Sequence, residues 1–106
     1  MIENRILNNL SKVKSKFLYM VVRGDDLRAV ADKFHTTQQV LIEINHLDEE
    51  IKEGEYILIE AVEGEEYIVK PEDTLEKIAR YDKELLRRLI LKNKTDSVYV
   101  GQKIYI

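Results

Sequence analysis

The chain repeats itself. Tyr19, Val21, Asp25, Leu27 and Ala31 recur as Tyr67, Val69, Asp73, Leu75 and Ala79, each pair 48 positions apart, with Val30 matched by Ile78. Leu41, Ile42 and Asn45 recur as Leu89, Ile90 and Asn93 at the same spacing. Towards the end the spacing falls to 47, which aligns Ile51, Gly54, Ile57 and Ile59 with Val98, Gly101, Ile104 and Ile106. One residue has been lost from a loop between Asn93 and Gly101. A repeat of this period marks two copies of one supersecondary unit. With 106 residues in all, each copy is far below ordinary domain size and must be tightly built or lean on its neighbour. The chain has no cysteine, so disulfides and thiolate metal sites are excluded and packing alone holds each copy together.

Each copy reads as strand, helix, helix, strand. Residues 18–22 and 66–70 are short runs rich in β-branched and aromatic side chains, as strands require. A turn follows at Arg23 and Gly24, and at Pro71 and Glu72. Asp25 and Asp73 are expected to cap the next helix, Asp73 with Glu76 three residues on as a capping box. Leu27, Val30, Ala31 and Phe34 fall at helical spacing and predict one apolar stripe. Thr36 with Gln39 suits the start of a second helix, whose Val40, Leu41 and Ile44 face inward; Leu85, Leu86, Leu89 and Ile90 take that part in the second copy. Asn45 and Asn93 are expected to end these helices in the left-handed conformation that Asn tolerates. Gly54 and Gly101 then turn the chain into closing strands at 56–59 and 103–106. The first and last strands of a copy can pair, and two helices can cover the sheet that a hairpin alone could not stabilise. The expected architecture is α+β: two tandem βααβ modules, each a two-stranded antiparallel sheet packed by two helices, preceded by a short N-terminal helix. The boundaries read 1–18 for an amphipathic segment, 19–59 and 67–106 for the modules, and 60–66 for an acidic linker.

Charge is unevenly spread. The net charge of −3 divides into +4 over residues 1–23, −10 over 24–66 and +3 over 67–106. Nucleic-acid binders show a dominant basic face, because phosphate contacts supply most of their affinity, so no nucleic-acid partner is expected. Ile2, Ile6, Leu7, Leu10, Val13 and Phe17 follow helical spacing beside Arg5, Lys12, Lys14 and Lys16. Residues 1–18 therefore suit a helix packed on the first module, on a protein partner or on an anionic membrane surface. The longest apolar run there, residues 17–22, is shorter than the core of a secretory signal. As written the chain is expected in the cytoplasm, or at the cell wall if exported by another route.

Catalytic chemistry finds little support. The two histidines, His35 and His46, lie on different elements without a second ligand at metal spacing. Ser11, Ser15 and Ser97 sit in no nucleophile setting, and pairs such as Glu49 and Glu50 lie in loops, where no cleft fixes their separation. The chain is not expected to be an enzyme, to bind a metal or to need a cofactor. Tyr56, Tyr99 and Tyr105 are read as strand or turn packing residues and not as a carbohydrate platform.

The repeat resembles the LysM (lysin motif) family, whose pattern begins Tyr-x-Val-x-x-Gly-Asp-Thr-Leu-x-x-Ile-Ala and closes with Asn after the second helix and Ile-x-x-Gly before the last strand. Tyr19, Val21, Gly24, Asp25, Leu27, Val30, Ala31, Asn45, Ile51 and Gly54 carry the resemblance in the first copy. In the second copy Tyr67, Val69, Asp73, Thr74, Leu75, Ile78, Ala79, Asn93, Val98 and Gly101 carry it. The copies depart from the pattern at Asp26, in the place of Thr, and at Pro71 and Glu72, in the place of a residue followed by Gly. The resemblance implies recognition of N-acetylglucosamine-containing glycans, peptidoglycan or chitin, in a shallow groove between the first strand–helix loop and the second helix–strand loop. Carried over, the groove residues are Gly24, Asp25, Asp26, Leu27, Asn45, His46, Leu47, Asp48 and Ile51. In the second copy they are Glu72, Asp73, Thr74, Leu75, Asn93, Lys94, Thr95, Asp96 and Val98. The implied role is cell-wall anchoring or targeting by non-catalytic binding. The alternative is a cytoplasmic assembly protein using the same modules for protein contact, as in members resembling spore-envelope or phage-tail components.

Overall fold

A computed structural model describes residues 16–48 and 50–106. The N-terminal helix expected before residue 16 lies outside the described residues. The chain divides into two compact units, one ending at Val62 and the other spanning Glu63–Ile106.

In the first unit β1 (Lys16–Met20) is followed by α1 (Leu27–Lys33), α2 (Gln38–Asn45) and β2 (Tyr56–Glu60). The two strands pair antiparallel, with Lys16 opposite Glu60, Leu18 opposite Leu58 and Met20 opposite Tyr56. β1 begins two residues earlier than the composition of 18–22 suggested, so Lys16 and Phe17 belong to a strand and not to the end of a helix. The ladder nevertheless runs on past Met20, since Val21 donates to Glu55 O at 2.8 Å and accepts from Gly54 N at 2.8 Å. Alternation sorts the side chains. Val21, Ile57 and Ile59 join Leu27, Val30, Ala31 and Leu41 in the core, with Tyr19, Phe34, Ile42, Leu47 and Ile51 packed around them. Phe34, expected at the end of the α1 stripe, is the C-cap of that helix and meets Tyr19 and Phe17 edge to face, at ring separations of 5.0 and 5.1 Å.

The second unit repeats this plan with β3 (Glu66–Ile68), α3 (Leu75–Ile78), α4 (Lys83–Asn93) and β4 (Lys103–Tyr105). β3 and β4 pair antiparallel, Tyr67 opposite Ile104. Val69, Leu75, Ala79, Leu89 and Ile104 form its core, bordered by Tyr67, Ile78, Leu86, Ile90 and Val98. Leu85, grouped with the inward residues on helical spacing, is exposed. Tyr81, the aromatic that follows α3, is 73% exposed and sits with Arg80 in the left-handed region, at φ 58 and 55. These two residues join α3 to α4 and turn the ring out of the core. Of the segment expected as a linker, Glu60 closes β2, Val62 is buried with its N–H on His35 O at 2.9 Å, and Glu65 exchanges two backbone bonds with Ile106.

Candidate functional site

The first loop of each module is a four-residue turn closed by its own aspartate. In the first, Asp25 N donates to Val22 O at 3.1 Å while the Asp25 carboxylate accepts from Val22 N at 2.9 Å and from the Tyr19 hydroxyl at 2.5 Å. In the second, Asp73 N donates to Lys70 O at 3.1 Å, and its carboxylate accepts from Lys70 N at 2.8 Å and the Tyr67 hydroxyl at 2.6 Å. The Tyr and Asp that recur six residues apart are one clamp, tying the strand to the turn that follows it. Donation by the tyrosine hydroxyl, then by the backbone N–H, holds each carboxyl below the usual carboxylate range. Partial desolvation opposes this, and the charge of Lys33, or of Lys70 and Lys77, adds to it. The same bond, with desolvation and the carboxylate's charge, raises both tyrosines above their ordinary value.

Because Asp25 and Asp73 are committed to this clamp, the helix caps fall one residue later. Asp26 accepts from Ala29 N at 2.7 Å and Thr74 from Lys77 N at 3.1 Å. Asp73 and Glu76 therefore form no capping box, and Glu76 instead lies in the first turn of α3, where its charge suits the helix dipole. The same shift by one residue applies to α2, whose N-cap is Thr37 and not Thr36. The two departures from the family pattern leave the turn unchanged. Asp26 caps as Thr74 does. Pro71 occupies the second position of the turn, where its fixed φ fits, and Glu72 takes a positive φ of 70 where Gly24 takes 91. Lys77 Nζ donates to Glu72 O at 3.1 Å and braces the strained residue.

The second loop begins with a clip. Asn45 Nδ2 donates to Leu41 O and Leu58 O, both at 2.9 Å, and its Oδ1 accepts from Leu58 N at 2.7 Å. Asn93 does the same with Leu89 O, Tyr105 O and Tyr105 N, at 3.0, 2.9 and 2.8 Å. The amide imitates a strand edge, satisfying both backbone groups of one residue in the closing strand. The left-handed position expected at Asn belongs to the next residue, His46 at φ 53 and Lys94 at φ 57. Leu47 and Ile51, or Val98, then pack on the core that also holds Leu27 or Leu75, which sets the second loop over the same core as the first.

The residues carried over from the family thus separate by duty. Leu27 and Leu75 are buried, and Asn45 and Asn93 spend their amides on the fold. Asp25 and Asp73 anchor the turn. The groups left on the surface are Gly24, Asp26, His46 and Asp48 in the first module, and Glu72, Thr74, Lys94 and Asp96 in the second. Thr95 is half-buried and donates from Oγ1 to Ser97 O at 2.8 Å. Missed by pattern was the surface next to Val98: Tyr99, read as a packing residue, is 67% exposed, and Val100 beside it is 61% exposed. Their position at the tip of a turn, beside Gly101, was the available signal. Among the described residues, no His, Asp and Glu side chains gather as a metal site, and no helix is long and apolar enough to cross a membrane.

Two small βααβ units, each presenting paired loops on a sealed core, make one repeated module. The LysM domain family model matches residues 19–59 and 67–106, and the chain belongs to that family. Among solved structures it is similar to the Bacillus cereus spore cortex-lytic enzyme SleL, at 25% identity over 87% of this chain and 22% of that one, with a TM-score of 0.43. The Bacillus megaterium QM B1551 spore cortex-lytic enzyme SleL gives 24% identity over 84% of this chain and 22% of that one, with a TM-score of 0.42. This chain therefore spans about a fifth of the length of these enzymes. No curated protein matches it. LysM domains are non-catalytic modules that bind N-acetylglucosamine-containing glycans.

Proposed function

We propose that this protein binds peptidoglycan or a chitin-type glycan without cleaving it, and anchors or targets what is attached to it. The observation that carries this reading is that both copies match the LysM family and build the two candidate loops alike, down to the Tyr–Asp clamp and the Asn clip. Such loops offer backbone groups and small polar side chains for hydroxyl and acetamido groups over an apolar base. Each module binds weakly, and linkage makes the second contact intramolecular. Co-sedimentation of the chain with insoluble peptidoglycan and with chitin, at low and high salt, tests it. Retention that survives salt and is competed by N-acetylglucosamine oligomers supports the reading; no retention at either salt rejects it.

A second reading, protein contact in an assembly, draws on one specific feature. Leu18, Met20, Val22 and Tyr56 leave an apolar outer sheet face on the first module, with Leu18 68% and Tyr56 67% exposed. Protein interfaces bury such patches. A concentration-dependent mass above the monomer, in a chain that ignores glycan, would favour this reading.

A further inference from the structure

The turns that lead into the closing strands are built alike and tipped differently. In the first module Glu55 N donates to Lys52 O at 3.1 Å, Lys52 N donates to the Glu55 carboxylate at 2.6 Å, and Gly54 N donates to Val21 O at 2.8 Å. In the second, Gln102 N donates to Tyr99 O at 3.1 Å, Tyr99 N to Gln102 Oε1 at 3.0 Å, and Gly101 N to Val69 O at 2.8 Å. Gly54 and Gly101 share a positive φ of 90 and 88. The tip residues are Lys52 and Glu53 in one case, Tyr99 and Val100 in the other. One turn presents charge and the other an aromatic ring beside a branched aliphatic side chain, both left mostly in water.

The place of this turn is what matters. Tyr99 follows Val98, the last residue of the second candidate loop. The bond from Gly101 to Val69 sets the turn beside the residue that leads into the first loop, Lys70 to Asp73. The turn thus follows the second candidate loop directly in the chain and is tied to the residue before the first, and backbone bonds hold it there. A pyranose ring has a face of C–H groups, and N-acetylglucosamine adds a methyl. An exposed aromatic ring on a held backbone, with an adjacent aliphatic group, complements both.

We infer that Tyr99 and Val100 are an apolar ledge of the second module's glycan site, and that this module therefore binds N-acetylglucosamine chains more tightly than the first. The inference rests on the glycan-binding reading. In the first module, Lys52 and Glu53 deny a sugar face that contact, and Asp26, Asp48 and Glu50 leave its candidate loops acidic.

The test is a titration of the full chain with N-acetylglucosamine oligomers, followed by amide chemical shifts. Amides of the second module move at lower oligomer concentration than those of the first. Tyr99→Ala and Tyr99→Lys weaken the second module roughly fivefold to tenfold, Tyr99→Phe holds affinity within about twofold, and Tyr81→Ala, an equally exposed tyrosine of the same module, changes nothing. Placing the ledge in the first module, with Lys52→Tyr and Glu53→Val together, strengthens that module. Unchanged dispersion of the amide spectrum shows that each variant is folded. Wild-type binding that Tyr99→Ala leaves intact, or that Tyr99→Phe reduces as much as Tyr99→Ala does, overturns the ledge while the glycan reading stands. A wild-type chain that binds no oligomer overturns both.

Discussion

In the first module the outer face of the sheet carries Leu18, Met20, Val22 and Tyr56; the same positions of the second are Glu66, Ile68, Lys70 and Lys103. There Lys103 reaches the Glu66 carboxylate at 3.6 Å and lies 5.6 Å from the Tyr105 ring centre. At the turn before the closing strand the contrast reverses, with charge in the first module and Tyr99 and Val100 in the second. Beneath these surfaces the clamp, the helix caps, the clip and the core positions coincide. What the two copies share is what closes each fold on itself, and what they have exchanged is where each offers apolar surface. Duplication kept the backbone devices and freed the surfaces to part.

The comparison can be broken most severely at the clip. Asn93→Ala removes the buried amide that donates to Leu89 O and Tyr105 O and accepts from Tyr105 N, and should destabilise the second module by about 3 kcal/mol, read from denaturant unfolding. Asn45→Ala, at a less buried site, should cost the first module less; equal losses would mean that burial does not set the value of the clip.

The clamp predicts a shared pH response. The carboxyls of Asp25 and Asp73 are depressed in the folded state, so their stabilisation is full above the ordinary carboxylate pKa and is lost as pH falls through the depressed values. Tyr19 and Tyr67 are raised, so theirs is full below the ordinary phenol pKa and fades as pH climbs through the raised values. Tyr19→Phe and Tyr67→Phe should each flatten the acid limb of the melting temperature against pH in their own module. An acid limb unchanged in both variants would show that the clamp is not its source.

The turns differ in strain. Glu72→Gly relieves a left-handed glutamate and should stabilise the second module by up to about 1 kcal/mol, whereas Gly24→Ala should cost the first a similar amount, both seen as shifts in melting temperature. The caps are the finest comparison. Asp26→Thr and Thr74→Asp should each change stability by less than about 0.5 kcal/mol, because either side chain accepts the same helical N–H.

Much of this protein was legible along the chain. A spacing of 48 with one deletion set two copies, alternation and helical stripes set the order of their elements, and Tyr19, Asp25, Asn45 and Gly54 with their counterparts marked the loops. Local rules, applied one segment at a time, erred by a single residue wherever two adjacent polar groups competed. Asp25 or Asp26, Thr36 or Thr37, and Asn45 or His46 are equally plausible caps on propensity. Which one serves is decided by what else can reach it: the Tyr19 hydroxyl claims Asp25, and the open edge of Leu58 claims Asn45. The duty of the aromatics was likewise hidden. Phe34 and Tyr81 are both aromatics that follow the first helix of their module, yet one packs against Tyr19 while a left-handed pair of residues turns the other into water. Periodicity by itself determined which stretches form strands and helices, because burying one apolar face constrains every residue along an element. Only the tertiary structure decided which polar and aromatic groups are spent on the fold and which remain for a ligand, because that choice depends on partners the chain brings together from afar.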